Sequence, residues 1–334
     1  MMPDNDTPYL SCVVPAFNEA EVVTPFLEAL SEQLEAITPR FEIIVVDDGS
    51  SDNTVERVEQ CQKQWPSIKL IVLSRNFGKE TALTAGINAA EGDAVLLIDA
   101  DFQHPLDMIP VFVNYWRQGY DMVYGVRSDR NNESFFKKQG AQLFYRIMKS
   151  STGIDVPAHA GDFRLMGKKV VNALKSMPER GRFMKGIYAW VGFKSIGVPF
   201  EVQNRLAGES GWGYRKLTNL ALSGITSFTT FPLRMVGALG LLISFISFFY
   251  AFYILFRTLV LGSELPGWPT VMVALTFIGG IQLLSLGVLG EYIAGIFNEV
   301  KQRPPYLIQK QTGFSPDSAA PSENSEQSDR DNAS

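Results

Sequence analysis

The chain has 334 residues, 46% hydrophobic and 19% charged, with 30 Lys+Arg against 35 Asp+Glu. That length and apolar content are ample for a sizeable core and exclude a disordered polymer. The net charge of −5 is concentrated between Gln311 and Ser334, where Asp317, Glu323, Glu326, Asp329 and Asp331 stand against Arg330, so the body is nearly neutral and no nucleic-acid partner is expected.

The first two hundred residues alternate short apolar runs with helical periodicity. Tyr9 to Val14, Phe41 to Val46, Lys69 to Leu73, Ala94 to Ile98 and Met122 to Tyr124 read as strands; Val22 to Ala36, Asn53 to Gln64, Glu80 to Ala89 and Leu106 to Arg117 read as helices. This βαβα order predicts a parallel sheet covered on both faces, with ligands at the carboxyl ends of its strands. Polar residues cluster at those ends: Pro15, Asn18 and Glu19, then Asp47 and Asp48, Arg75 and Asn76, Asp99 and Asp101, and finally Arg127.

Two nucleotide motifs are excluded. Gly78-Lys79 is followed by Glu80 and Leu73 stands where a Walker A loop needs glycine, while no GxGxxG follows the first strand. The chain instead has two acidic strand ends, Asp47-Asp48-Gly49-Ser50 and Asp99-Ala100-Asp101-Phe102-Gln103. Carboxylates flanking one residue in an extended segment direct oxygens to a hard divalent cation, which neutralises a diphosphate. Ser51 or Asp52 is placed to cap the helix that follows. Cys12 and Cys61 give neither ligand spacing nor a disulfide framework, and Cys12 is expected in the core of a protein in a reducing compartment. His104 and His159 form no HxH or HExxH pair, which counts against a histidine-built zinc site.

Farther along, Met235 to Phe256 and Trp268 to Gly290 are uncharged stretches of 22 and 23 residues. Each reaches roughly 33 to 35 Å as a helix, enough to cross a ~30 Å hydrocarbon layer. Arg215, Lys216 and Arg234 precede the first stretch and Lys301, Arg303 and Lys310 follow the second, so the positive-inside bias places both termini in the cytoplasm. The polar N-terminus gives no sign of a signal peptide. Tyr214 to Phe231 mixes Arg215 and Lys216 with Leu217, Leu220, Ile225 and Phe228, as an interfacial amphipathic helix does, and Phe135-Phe136-Lys137-Lys138 is a second candidate contact with the bilayer. Gly237, Gly240, Gly279, Gly280, Gly287 and Gly290 permit close helix approach and a homo-oligomer. The Ser-, Asp- and Glu-rich end is expected to be disordered. The expected division is residues 1–205 as the α/β domain, 206–233 as an interfacial region, 234–300 as two membrane helices and 301–334 as a cytoplasmic end segment.

Taken in order, Pro15-Ala16-Phe17-Asn18-Glu19, Val45-Val46-Asp47-Asp48-Gly49-Ser50, Ser74-Arg75-Asn76-Phe77-Gly78-Lys79, Asp99-Ala100-Asp101-Phe102-Gln103, Tyr124-Gly125-Val126-Arg127, Gly161-Asp162-Phe163-Arg164-Leu165, Arg205 and Gly208-Glu209-Ser210 form one long pattern. It resembles glycosyltransferase family 2 with a GT-A fold, and within it the polyprenyl-phosphate glycosyltransferases that include the dolichyl-phosphate mannose synthases. The two closing spans make the chain similar to the bacterial undecaprenyl-phosphate glucosyltransferase branch.

The resemblance implies a Rossmann-like mixed sheet with helices on both faces, and the inverting, metal-dependent transfer of a hexose to a polyprenyl (undecaprenyl) phosphate. Glucose is the expected sugar and a UDP-sugar the expected nucleotide-sugar donor, at the cytoplasmic face of a plasma membrane that the chain crosses more than once. Pro15, Phe17, Glu19, Val46 and Asp48 would line the nucleoside pocket, with Asp48 accepting hydrogen bonds from the base or ribose. Asp99 and Ala100 would lie along the ribose and diphosphate; Asp101 and Gln103, with Asp99, would hold Mg²⁺ or Mn²⁺. Arg127 and Arg205 would contact phosphates, of the lipid acceptor or of the leaving diphosphate. Asp162 and Arg164 would help place the acceptor phosphate and sugar, with Lys137 and Lys138 also on the acceptor phosphate. Asp101, Asp162, Arg127 and Arg205 make up the implied catalytic set. Relatives often follow Gly-Glu-Ser with a phosphate-binding Lys, whereas this chain has Gly211; either Arg215 or Lys216 takes over that charge or the diphosphate is held more weakly.

The acceptor decides the chemistry. A sugar hydroxyl needs a base, but a phosphate monoester has a second pKa of about 6 and is already anionic at neutral pH. Asp162 then reads as an orienter rather than a base. A processive polysaccharide synthase shares the nucleotide-sugar core, and its expected additional spans and Q-x-x-R-W motif are not found in this sequence. An inactive membrane scaffold is opposed by the intact Asp99, Asp101, Gln103, Arg127 and Arg205.

Overall fold

The apolar runs join one eight-stranded sheet in the computed structural model, which describes residues 7–128, 160–180, 182–201, 231–261 and 267–314. β1 (Leu10–Ala16), β2 (Phe41–Asp47), β3 (Ile68–Leu73) and β4 (Ala94–Leu97) form its parallel heart. β5 (Met122–Arg127), β6 (Ala160–Gly167), β7 (Ser195–Phe200) and β8 (Ile308–Thr312) extend it to the order β7-β5-β6-β4-β1-β2-β3-β8. β6 runs antiparallel to β4 and β5, and β8 runs antiparallel to β3. The sheet is therefore mixed, as the resemblance implies, and corrects the all-parallel sheet that the βαβα order alone predicts.

Helices on both faces account for the near-continuous burial of the central strands. α1 (Val23–Glu35), α2 (Thr54–Gln64) and α4 (Met108–Arg117) cover one face, where Phe26, Leu30 and Phe112 meet Cys12, Val14 and Val45. α3 (Lys79–Ala89), α5 (Lys168–Ser176) and α6 (Met184–Trp190) cover the other, where Leu83, Leu174 and Ile187 meet Val13, Ile44 and Val46. Cys12 and Cys61 are buried free thiols. At the end of the sheet away from the acidic loops, buried Glu42 pairs with Lys69 at 2.6 Å and accepts from Ser11 Oγ and, at 3.0 Å, from the Glu91 N–H. Its charge is thus satisfied by several partners.

α7 (Phe231–Leu261) and α8 (Trp268–Val300) contain the two uncharged stretches and run beyond them. By length and composition both helices can cross a membrane, over Pro232–Tyr250 and Val273–Val300, and neither stretch is buried by the rest of the chain. Leu241, Phe248 and Leu283 are among many large apolar side chains left open there, far more than a water-facing helix carries. After α8 the chain returns to the sheet. Arg180 donates to the backbone oxygens of Glu299 at 3.2 Å and Arg303 at 2.7 Å, Asn88 reaches the Tyr306 hydroxyl at 3.2 Å, and β8 pairs with β3. Residues 129–159, 202–230 and 315–334, and with them both interfacial segments, His159 and most of the acidic end, lie outside the described residues.

α3 seats on β1 at a glycine: a Cβ on Gly86 would overlap Val13 Cγ1 and lie 3.2 Å from Val46 Cγ2. Gly86→Val is expected to destabilise the fold by about 2 to 3 kcal/mol through overpacking. The measurement is the denaturant midpoint of the detergent-solubilised full chain, and an unchanged midpoint would rule out so close a seat.

Candidate active site

The four parallel strands end on one edge of the sheet, and each leads into a polar loop. After β1, Asn18 takes a left-handed backbone with φ of 55°. Its N–H donates to Ser50 Oγ and its Oδ1 accepts from the Ser51 N–H, both at 2.9 Å. Ser51 therefore clasps the β1 loop rather than capping α2. Asp52 accepts from the N–H of Thr54, at the start of α2, and from the N–H of Ala20, each at 3.1 Å, so it supports the helix start and the clasp together.

Asp47 and Asp48 at the end of β2 are buried, and burial raises the pKa of both. Asp48 Oδ1 accepts from the Phe77 N–H at 2.7 Å and Oδ2 from the Gly78 N–H at 2.8 Å. Where the resemblance implies a nucleoside contact, these bonds give Asp48 a bracing role toward the 74–79 loop. Gly49, with φ of 71°, lets the two loops cross, because a Cβ there would lie 2.5 Å from the Arg75 carbonyl carbon. Val46 and Ala100 are also buried, with their side chains in the two cores. Pro15, Phe17 and Glu19 are the more accessible members of the expected nucleoside set, Phe17 being 45% exposed.

The braced loop delivers Lys79, the first residue of α3. β6, with Arg164 paired to Leu97 of β4, brings Asp162 across from Asp99. Lys79 Nζ lies 2.7 Å from Asp99 and 3.1 Å from Asp162. Burial raises the Asp162 pKa, but Lys79, Lys185 and Arg164 outweigh it and hold the carboxyl at about 2. Glu80, the next residue, experiences the reverse. Burial pushes it up to about 7, opposed by one hydrogen bond from the Met184 N–H at 3.2 Å.

Asp101 is 8% exposed and His104 3%. Asp99, Asp101 and His104 each present one ligand atom, all within 4.8 Å of one another. His104 Nδ1 lies 4.0 Å from Asp99 Oδ2 with no hydrogen-bond partner, and its ring stacks on Phe163 at 4.9 Å between centroids. Two carboxylates and a neutral imidazole suit Mn²⁺, and the carboxylates alone suit Mg²⁺. The orphaned, buried nitrogen beside both acids is the observation that fits a cation here. Gln103 donates its backbone N–H to Asp101 Oδ1 at 3.1 Å and its side chain is partly exposed.

Arg127 is exposed at the end of β5, whereas Arg164 is buried, with its guanidinium carbon 3.5 Å from the centre of the Tyr188 ring. Arg205, Lys137 and Lys138, with Gly211, Arg215 and Lys216, lie outside the described residues. The structure groups Asp99 and Asp101 with His104, sets Asp162 across Lys79 from Asp99, and brings Gln103 to Asp101 through its backbone N–H. The spacing of His104 three residues after Asp101 was an available signal; a rule that asks for paired histidines passes over it. Lys185 stands in no motif that the sequence reading used.

The family model for glycosyl transferase family 2 matches residues 11–175. An uncharacterised glycosyltransferase of Synechocystis is 46% identical over 305 residues, covering 91% of this chain and 96% of its own. A prophage-derived bactoprenol glucosyl transferase of Shigella flexneri is 42% identical over 301 residues, 90% of this chain and 97% of its own. Among solved structures, glucosyl-3-phosphoglycerate synthase of Mycobacterium tuberculosis aligns with 64% of this chain and 75% of its own at 19% identity and a TM-score of 0.47, too distant for donor or metal to carry over.

Glu80 sets a pH dependence. Its folded value of about 7 exceeds the ordinary 4.5, so the folded chain keeps a proton that the unfolded chain has released, and stability falls as pH rises through that window. Glu80→Gln is expected to flatten the slope of the unfolding midpoint between pH 5 and 8 and to raise stability at pH 8 by about 1 to 3 kcal/mol. A slope like that of the unmodified chain would show that Glu80 does not titrate there.

Proposed function

Because the chain belongs to glycosyl transferase family 2, we propose that it transfers a hexose, glucose, from a UDP-sugar to a polyprenyl phosphate at the cytoplasmic face of a membrane. The observation that carries this reading is the cluster of Asp99, Asp101 and His104, facing Asp162 and Lys79 at the carboxyl edge of the sheet. The full-length similarity to a protein named as a bactoprenol glucosyl transferase supports the acceptor and the sugar. The two long apolar helices support a bilayer location, because an isoprenoid chain loses about 0.8 kcal/mol for each CH₂ drawn into water.

In this reading residues 1–205 carry out the reaction, 206–233 lie at the interface, 234–300 anchor the chain and 301–334 return to the cytoplasm. Asp99, Asp101, Gln103 and His104 would hold Mg²⁺ or Mn²⁺, which supplies charge neutralisation to the departing nucleoside diphosphate. Pro15, Phe17 and Glu19 border the nucleoside. Arg127 and Arg205 serve phosphates, and Lys137 and Lys138 approach the acceptor headgroup.

Asp162, held at about 2 by cations, is a poor base at neutral pH, which supports its role as an orienter. An anionic phosphate acceptor matches such a site. Its attack needs no deprotonation, only alignment with the anomeric carbon and relief of repulsion between two anions. A single displacement of this kind inverts the anomeric centre.

Membranes carrying the full chain, given labelled UDP-glucose, divalent cation and polyprenyl phosphate, are expected to move label into organic-extractable, mild-acid-labile lipid. Asp101→Asn is expected to lower that rate by roughly 100-fold or more while the protein stays folded and membrane-bound. Near-normal turnover in Asp101→Asn contradicts the metal assignment; a long water-soluble polymer as product points to a processive synthase instead.

A further inference from the structure

The end of α8, the second helix long and apolar enough to cross a membrane, is held by the α/β domain more closely than a covalent tether requires. A helix leaves its last four carbonyls without intrahelical partners, and on an open surface water takes them. Here Arg180 stands in for water. Its Nη1 donates to the Glu299 carbonyl at 3.2 Å, its Nε to the Arg303 carbonyl at 2.7 Å, and its backbone N–H to Glu299 Oε1 at 3.0 Å. A guanidinium at a helix C-terminus also meets the negative end of the helix dipole. The segment that carries Arg180 is fixed in turn, because Arg182 donates to the carbonyls of Met177 at 2.7 Å and Leu174 at 3.3 Å, where α5 ends.

Three ties from this junction, residues 299–307, converge on the first turn of α3. Before that turn, the Ser74 N–H donates to the Leu307 carbonyl at 2.9 Å. After it, on the same helix, Asn88 Nδ2 reaches the Tyr306 hydroxyl at 3.2 Å, and Tyr306 packs against the core layer that includes Leu83 and Ile187. The third tie passes through the segment before α6. Arg180 is bonded to Glu299 at one end of that segment, and the Met184 N–H donates to Glu80 Oε2 at 3.2 Å from the other. Lys79 stands between these holds, with its ammonium 2.7 Å from Asp99 and 3.1 Å from Asp162. A shift of about 1 Å at the start of α3 would take either pair out of hydrogen-bonding range. An anchor alone has no need of holds on both sides of one lysine.

We propose that the 299–307 junction is a bracket that positions Lys79 for the reaction, with Arg180 as its clamp, so that the seating of α8 governs turnover rather than the grip on the lipid. Arg180 is thereby a positioning residue: it acts through the end of α8 and through Glu80, not on the reacting groups. The kinetic side of this inference rests on the reading of the chain as a polyprenyl-phosphate glucosyltransferase.

The test uses the full chain in lipid nanodiscs and reads both kinetics and amide hydrogen exchange. Arg180→Ala is expected to lower kcat about 10-fold, through loss of two charge-assisted hydrogen bonds, and to change the KM for polyprenyl phosphate by less than about 2-fold. Arg180→Lys, which keeps the charge without the fork of donors, is expected to fall between the two. In Arg180→Ala the amides of residues 74–89 are expected to exchange about 5-fold faster while those of β1, β2 and β4 keep their protection. Tyr306→Phe, which removes only the bond from Asn88, is expected to shift the same amides in the same direction by about 2-fold. An unchanged kcat in Arg180→Ala overturns the bracket, as does a lower kcat with unchanged exchange at 74–89. A rise confined to acceptor KM would put Arg180 on the lipid, and faster exchange throughout the sheet would make it an ordinary stabilising contact; either result also overturns the proposal. Should the unmodified chain glycosylate no polyprenyl phosphate, the reading of function fails by itself, and exchange alone decides the bracket: acceleration confined to 74–89 sustains it, and none or a general one rejects it.

Discussion

The site depends on one ammonium group placed between two carboxylates. β4 and the antiparallel β6 bring Asp99 and Asp162 together from strands far apart in sequence, with Asp101 close by. Two such charges 4 Å apart repel by about 4 kcal/mol at an effective dielectric of 20. Lys79, in reach of both, turns that repulsion into attraction and keeps Asp162 ionised despite its burial.

Lys79 is positioned by the chain that leads into it. Behind it, the Phe77 and Gly78 N–H groups are fixed by Asp48, so a buried carboxylate of β2 sets where α3 begins. Farther back, the Ser74 N–H donates to the Leu307 carbonyl at 2.9 Å, and Leu73 pairs with Ile308 at the start of β8. β8 follows directly on α8, the second of the two long apolar helices. A short covalent and hydrogen-bonded path therefore runs from a helix suited to lipid, through β8 and the 74–79 loop, to the ammonium that organises the acids. Arg180, bonded to Glu299 and Arg303, ties the same helix end to the segment before α6.

What the sequence reveals follows from how each element is buried. β1 to β5 and α1 to α4 were legible because their apolar runs and helical faces keep a regular period between polar loops. β6 was not: Asp162 and Arg164 interrupt its apolar run, and inside the fold Lys79 and Tyr188 stand beside them. β8 is polar and exposed along an edge, so it carries no burial pattern, and β7 contains Gly197 and Pro199. Within the site, the acidic strand ends announced themselves by spacing. Lys79 could be quoted as part of a motif without its role being visible, because that role exists only once β4 and β6 are antiparallel neighbours. Lys185 and His104 likewise gain meaning from what packs against them.

The same neighbourhood discriminates between acceptors. Transfer to a sugar hydroxyl requires a carboxylate or imidazole able to take a proton near neutral pH. Asp162 is held at about 2 and paired with Lys79, which makes it a poor base in this arrangement. Glu80 stands at about 7, but its Oε2 is turned to the start of α6 to accept from Met184. Asp47 and Asp48 are raised by burial, yet Asp47 accepts from the Ser50 N–H and Asp48 from the N–H groups of Phe77 and Gly78. His104 is buried against two acids as a cation ligand would be. Among the described residues these groups are thus engaged elsewhere. An acceptor that arrives already ionised is the one such a site can use without rearrangement.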